Sequence, residues 1–426
     1  MIWLFITFFA ALAAGVPVAF ALGLAAVLYI VLTGQVGLDV LPTVMFGGMD
    51  SFPLLAIPFF VLAGDLASRS GVMDRLVRFA ETLFGPLRGG LAHVNVGSSM
   101  LFGGVTGVAV ADTAAVGSTL IPSMVRQGYS AAFSAAVTAA SSVMGAIIPP
   151  SVAMLIVVYI AGGGMSVTKL FLAGATPGVL IGLGMMAYIA AVARYRGFPG
   201  GTRGWSLADL GREMVRAGPG LMLPVIILGG ILTGYFTPTE AGAVAVGYAL
   251  LLGVFYRTLT LQAVAEGLLA AAKTSAVVFI LFATAKLIAW LLVLNMVPQQ
   301  LGEFLKTFVT SREMFLLLVV FLFFILGFVM EGVAAMIMLV PILFPIAGAY
   351  GVEPHHLALI IVMTVQIALV TPPVAVGLFI VKSISGASIR DISIEVIPFI
   401  GVILAVILAV LFFPSVAMWL PDMVAK

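Results

Sequence analysis

Apolar stretches recur from one end of this chain to the other as candidate membrane spans: 2–31, 52–67, 90–101 leading into a special segment, 130–164, 168–193, 219–236, 238–256, 273–295, 313–327 leading into a second special segment, 355–387 and 391–420. A helix needs about 20 predominantly apolar residues to span hydrocarbon. Only 8% of the 426 residues are charged and 63% are hydrophobic, whereas a soluble domain carries about 25% charged residues. Water would not tolerate the surface of such a chain, so lipid is the solvent for most of it. In lipid every backbone polar group must be paired internally, and spans of this length achieve that as helices. The expectation is an all-α polytopic membrane protein. The opening run MIWLFITFFAALAAGVPVAF has no positively charged leader and reads as the first membrane segment.

Several chemistries are excluded by what the sequence lacks. There are no cysteines, and His93, His355 and His356 never stand at metal-ligand helical spacing. No Gly-rich loop ends in Lys-Ser/Thr and no His-Glu-x-x-His motif occurs, so neither an ATPase nor a zinc hydrolase is encoded. No catalytic constellation is visible, and the chain is not expected to be an enzyme. A net charge of +2 does not suggest nucleic acid. Residues 72–84 and 206–217 read as amphipathic surface helices. His355 and His356 follow Pro354 in what reads as a solvated loop, and Lys273 as a helix-end residue snorkelling to the interface.

Arginine position predicts orientation. Arg69, Arg75, Arg78 and Arg88 form one cluster and Arg194, Arg196, Arg203, Arg212 and Arg216 another; both should face the cytoplasm. Spans 130–164 and 168–193 supply two crossings between them, which leaves 90–126 to enter and return on one side as a re-entrant hairpin. The second half repeats the first at one ungapped offset of 223. It relates Gly104 to Gly327, Pro122 to Pro345, Pro149 and Pro150 to Pro372 and Pro373, and Gly163 to Gly386. Internal repeats are a transporter signature, with sites at the junction of the halves. Continuing the crossings places 296–312 opposite its mate 73–89, so the repeats are expected to be inverted. The halves are 1–217 and 218–426. The first carries a hairpin about 99–126 and a broken helix 130–164; the second carries a hairpin about 327–350 and a broken helix 355–387.

The breaks carry the chemistry. Gly145–Val152 reads GAIIPPSV and Ala368–Ala375 reads ALVTPPVA, each within a long apolar span. Proline removes a backbone donor, clashes with the preceding turn and pushes its predecessor out of helical geometry. Carbonyls released at membrane depth are costly unless something binds them, and Na⁺ suits hard oxygen ligands without a fixed carboxylate. A packing kink with no ion is the plainer alternative, made less attractive by two breaks at matched positions. The first hairpin, GGVTGVAVADTAAVGSTLIPSM, is rich in small residues that let helices approach closely. Inward half-helix N-termini offer N–H groups to an anion. Asp112 and Glu331 sit near the hairpin tips, where a charge is functional by default or a cap on the tip; Asp65 and Lys286 also fall in or beside spans. Thr106, Asp112, Ser141, Ser142, Glu331 and Gln366 are candidates for a substrate cavity, with Thr371 a further polar candidate for its wall.

VAVADTAAVGSTLIPSM (108–124), IIPPSVAML (147–155), YFTPTEAGAVAV (235–246) and VTPPVAVGLF (370–379) together resemble the large membrane subunit of TRAP transporters, the tripartite ATP-independent periplasmic (DctM-like) family, over essentially the whole chain. The resemblance implies an inverted-repeat, elevator-type transporter in the bacterial inner membrane, with two re-entrant hairpins and two Pro-broken helices. It implies sodium-coupled import of a small organic acid, carboxylate or sulfonate, delivered by a periplasmic binding protein. It also implies a small four-helix membrane partner, no cofactor, and Na⁺ as the coupling ion. Carried onto this chain, sodium site one uses backbone around Gly103, Gly104, Gly145, Ile148 and Pro150. Site two uses Gly327, Ala368, Thr371 and Val374. The chain departs from the family where Thr106-Gly107-Val108 replaces a common Ser-Gly-Ser and where Glu331 replaces a common Asp. Alternatives are a stand-alone sodium/dicarboxylate-type symporter of related two-hairpin architecture, or a non-transporting membrane scaffold or permease for an ATPase.

Overall fold

The structure is a computed structural model and describes residues 1–162, 164–198, 200, 204–328, 330–372 and 375–424. Gly163, Arg203, Pro373 and Val374, named above, lie outside the described residues. Among the described residues every regular element is helical, and seven helices are long and apolar enough to cross a membrane. These include Val167–Tyr195, Leu261–Leu294 and Ile389–Phe412.

The offset of 223 holds element by element. It carries Ala109–Arg126 onto 332–349, where the helix Gly332–Ala349 lies. It carries Gly90–Thr106 close to Arg312–Leu326, Ala131–Ser142 to Pro354–Ala368, and Val152–Ala161 to Val376–Ser385. The packing exchanges in the same way. Ala109–Arg126 packs on Val376–Ser385, and its mate Gly332–Ala349 packs on Val152–Ala161. Each half therefore lends a hairpin limb to the other half's broken helix, and the two sets of functional segments converge in one core.

Several boundaries differ from the sequence reading. The stretch 2–31 is not one span but two packed helices, Ile2–Ala13 and Val18–Thr33. Gly15, at φ 81°, ends the first of them, and the Val16 N–H reaches back to the Ala11 carbonyl at 3.0 Å. This left-handed closure followed by Pro17 is a strong helix stop. Conversely, 206–217 is not a separate surface helix. Leu207–Leu232 runs unbroken through Pro219 and Pro224, since membrane helices accept prolines where neighbours re-pair the freed groups. The helix Leu261–Leu294 starts well before 273, so Lys273 lies inside it and not at its end. Its counterpart in the first half is interrupted: Val40–Met49 and Ala56–Arg69 are separated by a short turn containing Pro53. The stretch 391–420 likewise divides into Ile389–Phe412 and Ser415–Val424 at Pro414.

The first hairpin is built from Gly90–Thr106 and Ala109–Arg126, so it fills the 90–126 that the count of crossings left for it and extends beyond the narrower 99–126. In the second, Arg312–Leu326 and Gly332–Ala349 are the limbs, and Gly327 stands at the tip instead of the start. Apolar limbs leading into a hairpin look like ordinary spans in a hydropathy profile; the glycines that turn the chain define the limbs. His355 and His356 are not in a solvated loop either. They occupy the first turn of Pro354–Ala368, and buried His356 sets its Nε2 2.9 Å from the Val410 carbonyl.

Candidate functional site

The tip of the first hairpin rests on the first break. Thr106 ends one limb and Gly107, at φ 65°, turns the chain into extended Val108. A Cβ at Gly107 would sit 2.5 Å from the Pro150 carbonyl oxygen, so this position needs glycine for space as well as for its positive φ. The Gly107 carbonyl accepts the Val152 N–H at 3.1 Å, tying the tip to the far half of the broken helix. One turn earlier Gly103 meets Gly145 so closely that a Cβ would lie 2.7 Å from the Gly145 Cα. Gly104 faces Pro149 and Ile148. The break itself spans Ile147 to Ser151, and among the described residues no hydrogen bond ends on the carbonyls of Ile147, Ile148, Pro149 or Pro150. Ser151 caps the second half through Met154 N–H at 3.2 Å and donates to the Ala146 carbonyl at 2.6 Å. Gly103, Gly104, Gly145, Ile148 and Pro150 are thus brought together beside free carbonyls, a donor set that fits a small hard cation.

At the second break Gly327 packs against Ala368, whose Cβ would be 2.6 Å from a Cβ built on Gly327. Thr371 is buried and donates its hydroxyl to the Ile367 carbonyl at 2.7 Å. The Leu369 carbonyl accepts the Gly377 N–H at 3.0 Å. Gly327 and Ala368 come together, then, while Val374 lies outside the described residues.

Between the two tips and the two breaks lies a cavity of about 800 Å³. Thr106 to Ala111 line it from the first hairpin, Met330 to Val333 from the second, Ala146 and Val152 from the first break, and Gln366, Ala368 and Leu369 from the second. The helices Ala56–Arg69 and Leu261–Leu294 close it from the side with Asp65, Thr274 and Leu281. The described lining holds two carboxylates, Asp65 and Glu331, and no basic residue. Asp65 is held by Arg69 at 2.7 Å, and Arg69 also reaches Glu266 at 2.9 Å. The tips differ in their caps. Glu331 accepts the Ala334 N–H at 3.2 Å and so caps the helix Gly332–Ala349. Val108, at the corresponding position, offers no side-chain cap to Ala109–Arg126 and leaves that N-terminus open to the cavity.

Of the residues expected in the cavity, Thr106, Glu331 and Gln366 line it; Asp112, Ser141 and Ser142 do not. These three are fully buried behind the break, in a polar chain that the sequence reading missed. Asn95 donates to Thr138 at 2.7 Å, Ser141 donates to Asn95 at 3.1 Å, and Ser99 lies 3.0 Å from Ser141. Asn95, Ser99, Thr138 and Ser142 recur at helical spacing, a signal that small-residue packing hides. Asp112 does not cap its helix: neither carboxylate oxygen has a hydrogen-bond partner.

Residues 5–416 match the family described as tripartite ATP-independent periplasmic transporter, DctM component. The chain belongs to the DctM family. It is the large permease component of a TRAP transporter, a multi-pass inner-membrane transport protein and not an enzyme. It is 39% identical to the isethionate TRAP transporter permease protein DctMQ of Oleidesulfovibrio alaskensis over 96% of this chain, spanning 64% of that protein's length. It is 36% identical to the sialic acid TRAP transporter large permease protein SiaM of Vibrio cholerae, covering 96% of each chain. It is 39% identical to the C4-dicarboxylate TRAP transporter large permease protein DctM of Pseudomonas aeruginosa, covering 94% of each. In fold, this DctM-family chain is similar to the Alcanivorax borkumensis YdaH transporter, with a TM-score of 0.61 at 16% identity over 90% of both chains. It is similar also to Neisseria gonorrhoeae MtrF, with a TM-score of 0.60 at 14% identity over 88% of this chain and 83% of that one.

Proposed function

We propose that this permease imports a small organic acid, carboxylate or sulfonate, in symport with sodium, and that a periplasmic binding protein and a small four-helix membrane subunit work with it. The carrying observation is the cavity bounded by both hairpin tips and both breaks, lined by Asp65 and Glu331 but by no described basic residue. An anion entering such a cavity needs positive charge from elsewhere. Sodium held at the breaks would supply it. At the first break the unpaired carbonyls of Ile148 and Pro150 and the crowded glycines Gly103, Gly104 and Gly145 are the ligand set; at the second, Gly327, Ala368, Thr371 and Val374. The open N-terminus of Ala109–Arg126 offers backbone N–H groups to the acid, a favourable end for negative charge. Glu331 already occupies the equivalent end of Gly332–Ala349. Isethionate, sialic acid and C4-dicarboxylates, named for the relatives, are all organic anions at neutral pH.

In this reading the hairpins and broken helices form a domain that slides past a static scaffold, and the repeats are inverted across the membrane. Cation and anion stabilise the same arrangement of tips, so each tightens the other by the same factor. Uptake in proteoliposomes containing the permease, its small subunit and its binding protein, with and without an inward sodium gradient, tests this. Uptake should collapse without sodium; full uptake in its absence overturns the proposal. Transport by the chain alone, without a binding protein, would instead identify a stand-alone symporter.

A further inference from the structure

We propose that the acid carried by this permease is a monoanion, one carboxylate or sulfonate on an otherwise apolar body, and that Glu331 turns away a second acidic group. The inference deepens the sodium-coupled reading above and rests on it. In that reading a cation stands at each break. At the second break the counter-charge is built into the protein. Gly332 packs against Val365 and Gly327 against Ala368, so the tip that bears Glu331 is seated on the helix that breaks there. The Glu331 carboxylate caps its helix through the Ala334 N–H at 3.2 Å and is exposed in the cavity.

At the first break no such charge is supplied. The offset of 223 replaces Glu331 by Val108, which lines the same cavity. The negative charge on that side has to arrive with the substrate, and one anionic end supplies it. A second would meet Glu331 or Asp65, the two carboxylates of the described lining. Asp65 gives no relief. Arg69 binds it at 2.7 Å but also holds Glu266 at 2.9 Å. One positive charge is thus divided between two carboxylates, and this wall stays acidic. Like charges brought together where water is scarce repel far more strongly than in bulk water.

The rest of the lining sets the character of the body. Ile57, Val61, Ile156, Val277, Leu281 and Leu369 present hydrocarbon to the cavity. Beyond the two acids, the polar side chains of the described lining are four uncharged ones, Ser68, Thr106, Thr274 and Gln366. Of these, Thr106 already donates to the Phe102 carbonyl at 3.4 Å. A body rich in hydroxyls would leave most of them without partners against such a wall, and each unpaired polar group costs affinity. An aliphatic or aromatic body gains by leaving water for the same wall.

Calorimetric titration and thermal shift of the purified full chain in saturating sodium test this, because they take the binding protein's own selectivity out of the measurement. The probes are hexanoate, adipate and gluconate, which share one chain length and differ by a second carboxylate or by hydroxyls. Hexanoate should bind about tenfold or more tightly than either of the others. Glu331→Gln keeps an oxygen for the Ala334 N–H and removes the charge. It should shrink the hexanoate-to-adipate ratio about fivefold, and shrink the hexanoate-to-gluconate ratio far less. Adipate or gluconate binding as tightly as hexanoate overturns the proposal, as does hexanoate failing to bind or a hexanoate-to-adipate ratio unmoved by Glu331→Gln. Should that variant fail to fold, Asp65→Asn takes its place with the same expectation. Sodium-independent uptake by the wild type defeats the transport reading; sodium-dependent binding of adipate as tight as that of hexanoate defeats this inference alone.

Discussion

In the first half, hairpin and broken helix meet through Asn95, Ser98, Ser99, Asp112, Thr138, Ser141 and Ser142, all buried. At the corresponding positions the second half carries Leu318, Phe321, Leu322, Ala335, Ile361, Thr364 and Val365. Two interiors with the same helix order are thus built by different forces. One is tied by the hydrogen bonds of Asn95, Ser99, Thr138 and Ser141, directional contacts that specify a single arrangement. The other packs Ala335, Ile361 and Val365 inside by shape and dispersion and turns Leu318 and Phe321 outward. The tips differ in the same sense: Glu331 closes its own helix end, while Val108 leaves one open. Repeat symmetry has been kept in the backbone and abandoned in the chemistry.

The largest expected effect tests how the two halves hold their glycine contacts. Gly327→Ala clashes with the Ala368 side chain, so Ala368→Gly should restore it; Gly103→Ala clashes with the Gly145 backbone, which nothing smaller can relieve. Each single change should cost about 1–3 kcal/mol and most of the uptake. Melting temperature and proteoliposome transport of the four variants check this, and rescue in neither half breaks the comparison. Next, Thr138→Val should cost about 1–3 kcal/mol by stranding the Asn95 amide. The double change Asn95→Leu with Thr138→Ile installs the residues of the second half and should recover most of that stability, because both partners leave together. A double variant as unstable as the single would show that the second half's solution does not transfer.

Val108→Asp gives the first tip a carboxylate like that of the second. It should add a helix cap of about 1 kcal/mol while lowering uptake of an organic acid about tenfold, the equivalent of roughly 1.4 kcal/mol. A thermal melt and a KM measurement separate the two, and unchanged uptake would mean the acid does not use that helix end. The smallest effect is expected at Arg69, whose mate is Leu292. Its pairs with Asp65 and Glu266 are partly exposed, so Arg69→Leu should move stability by about 0.5 kcal/mol. A loss several times larger would show that the cavity wall depends on this pair.

The broad architecture was legible because its signals are coarse. Paired prolines at 149–150 and 372–373 and the spacing of 223 survive any uncertainty of a few residues. They located both breaks and the core in which they converge. Limb boundaries were not legible, since Gly90–Thr106 carries no Asp, Glu, Lys or Arg and only the turn at Gly107 marks its end. His356 looked solvated because Pro-His-His resembles a loop; its burial depends on Val410, more than fifty residues away. The role of Asp112 was illegible for a similar reason. Its neighbours Ser99 and Ser142 stand on two other helices, and only the packing of those helices brings them to the acid.

The Gly107–Val152 hydrogen bond has a mechanical consequence. It rivets the end of one loop to the distal piece of the neighbouring rod, so neither can be displaced without carrying the other. Among the described residues Met330 and Ala375, the equivalents in the second half, share no such link. Lifting the second loop off its rod is therefore cheaper by about one hydrogen bond, near 1 kcal/mol. The lighter door of this machine is the one hinged at Gly327.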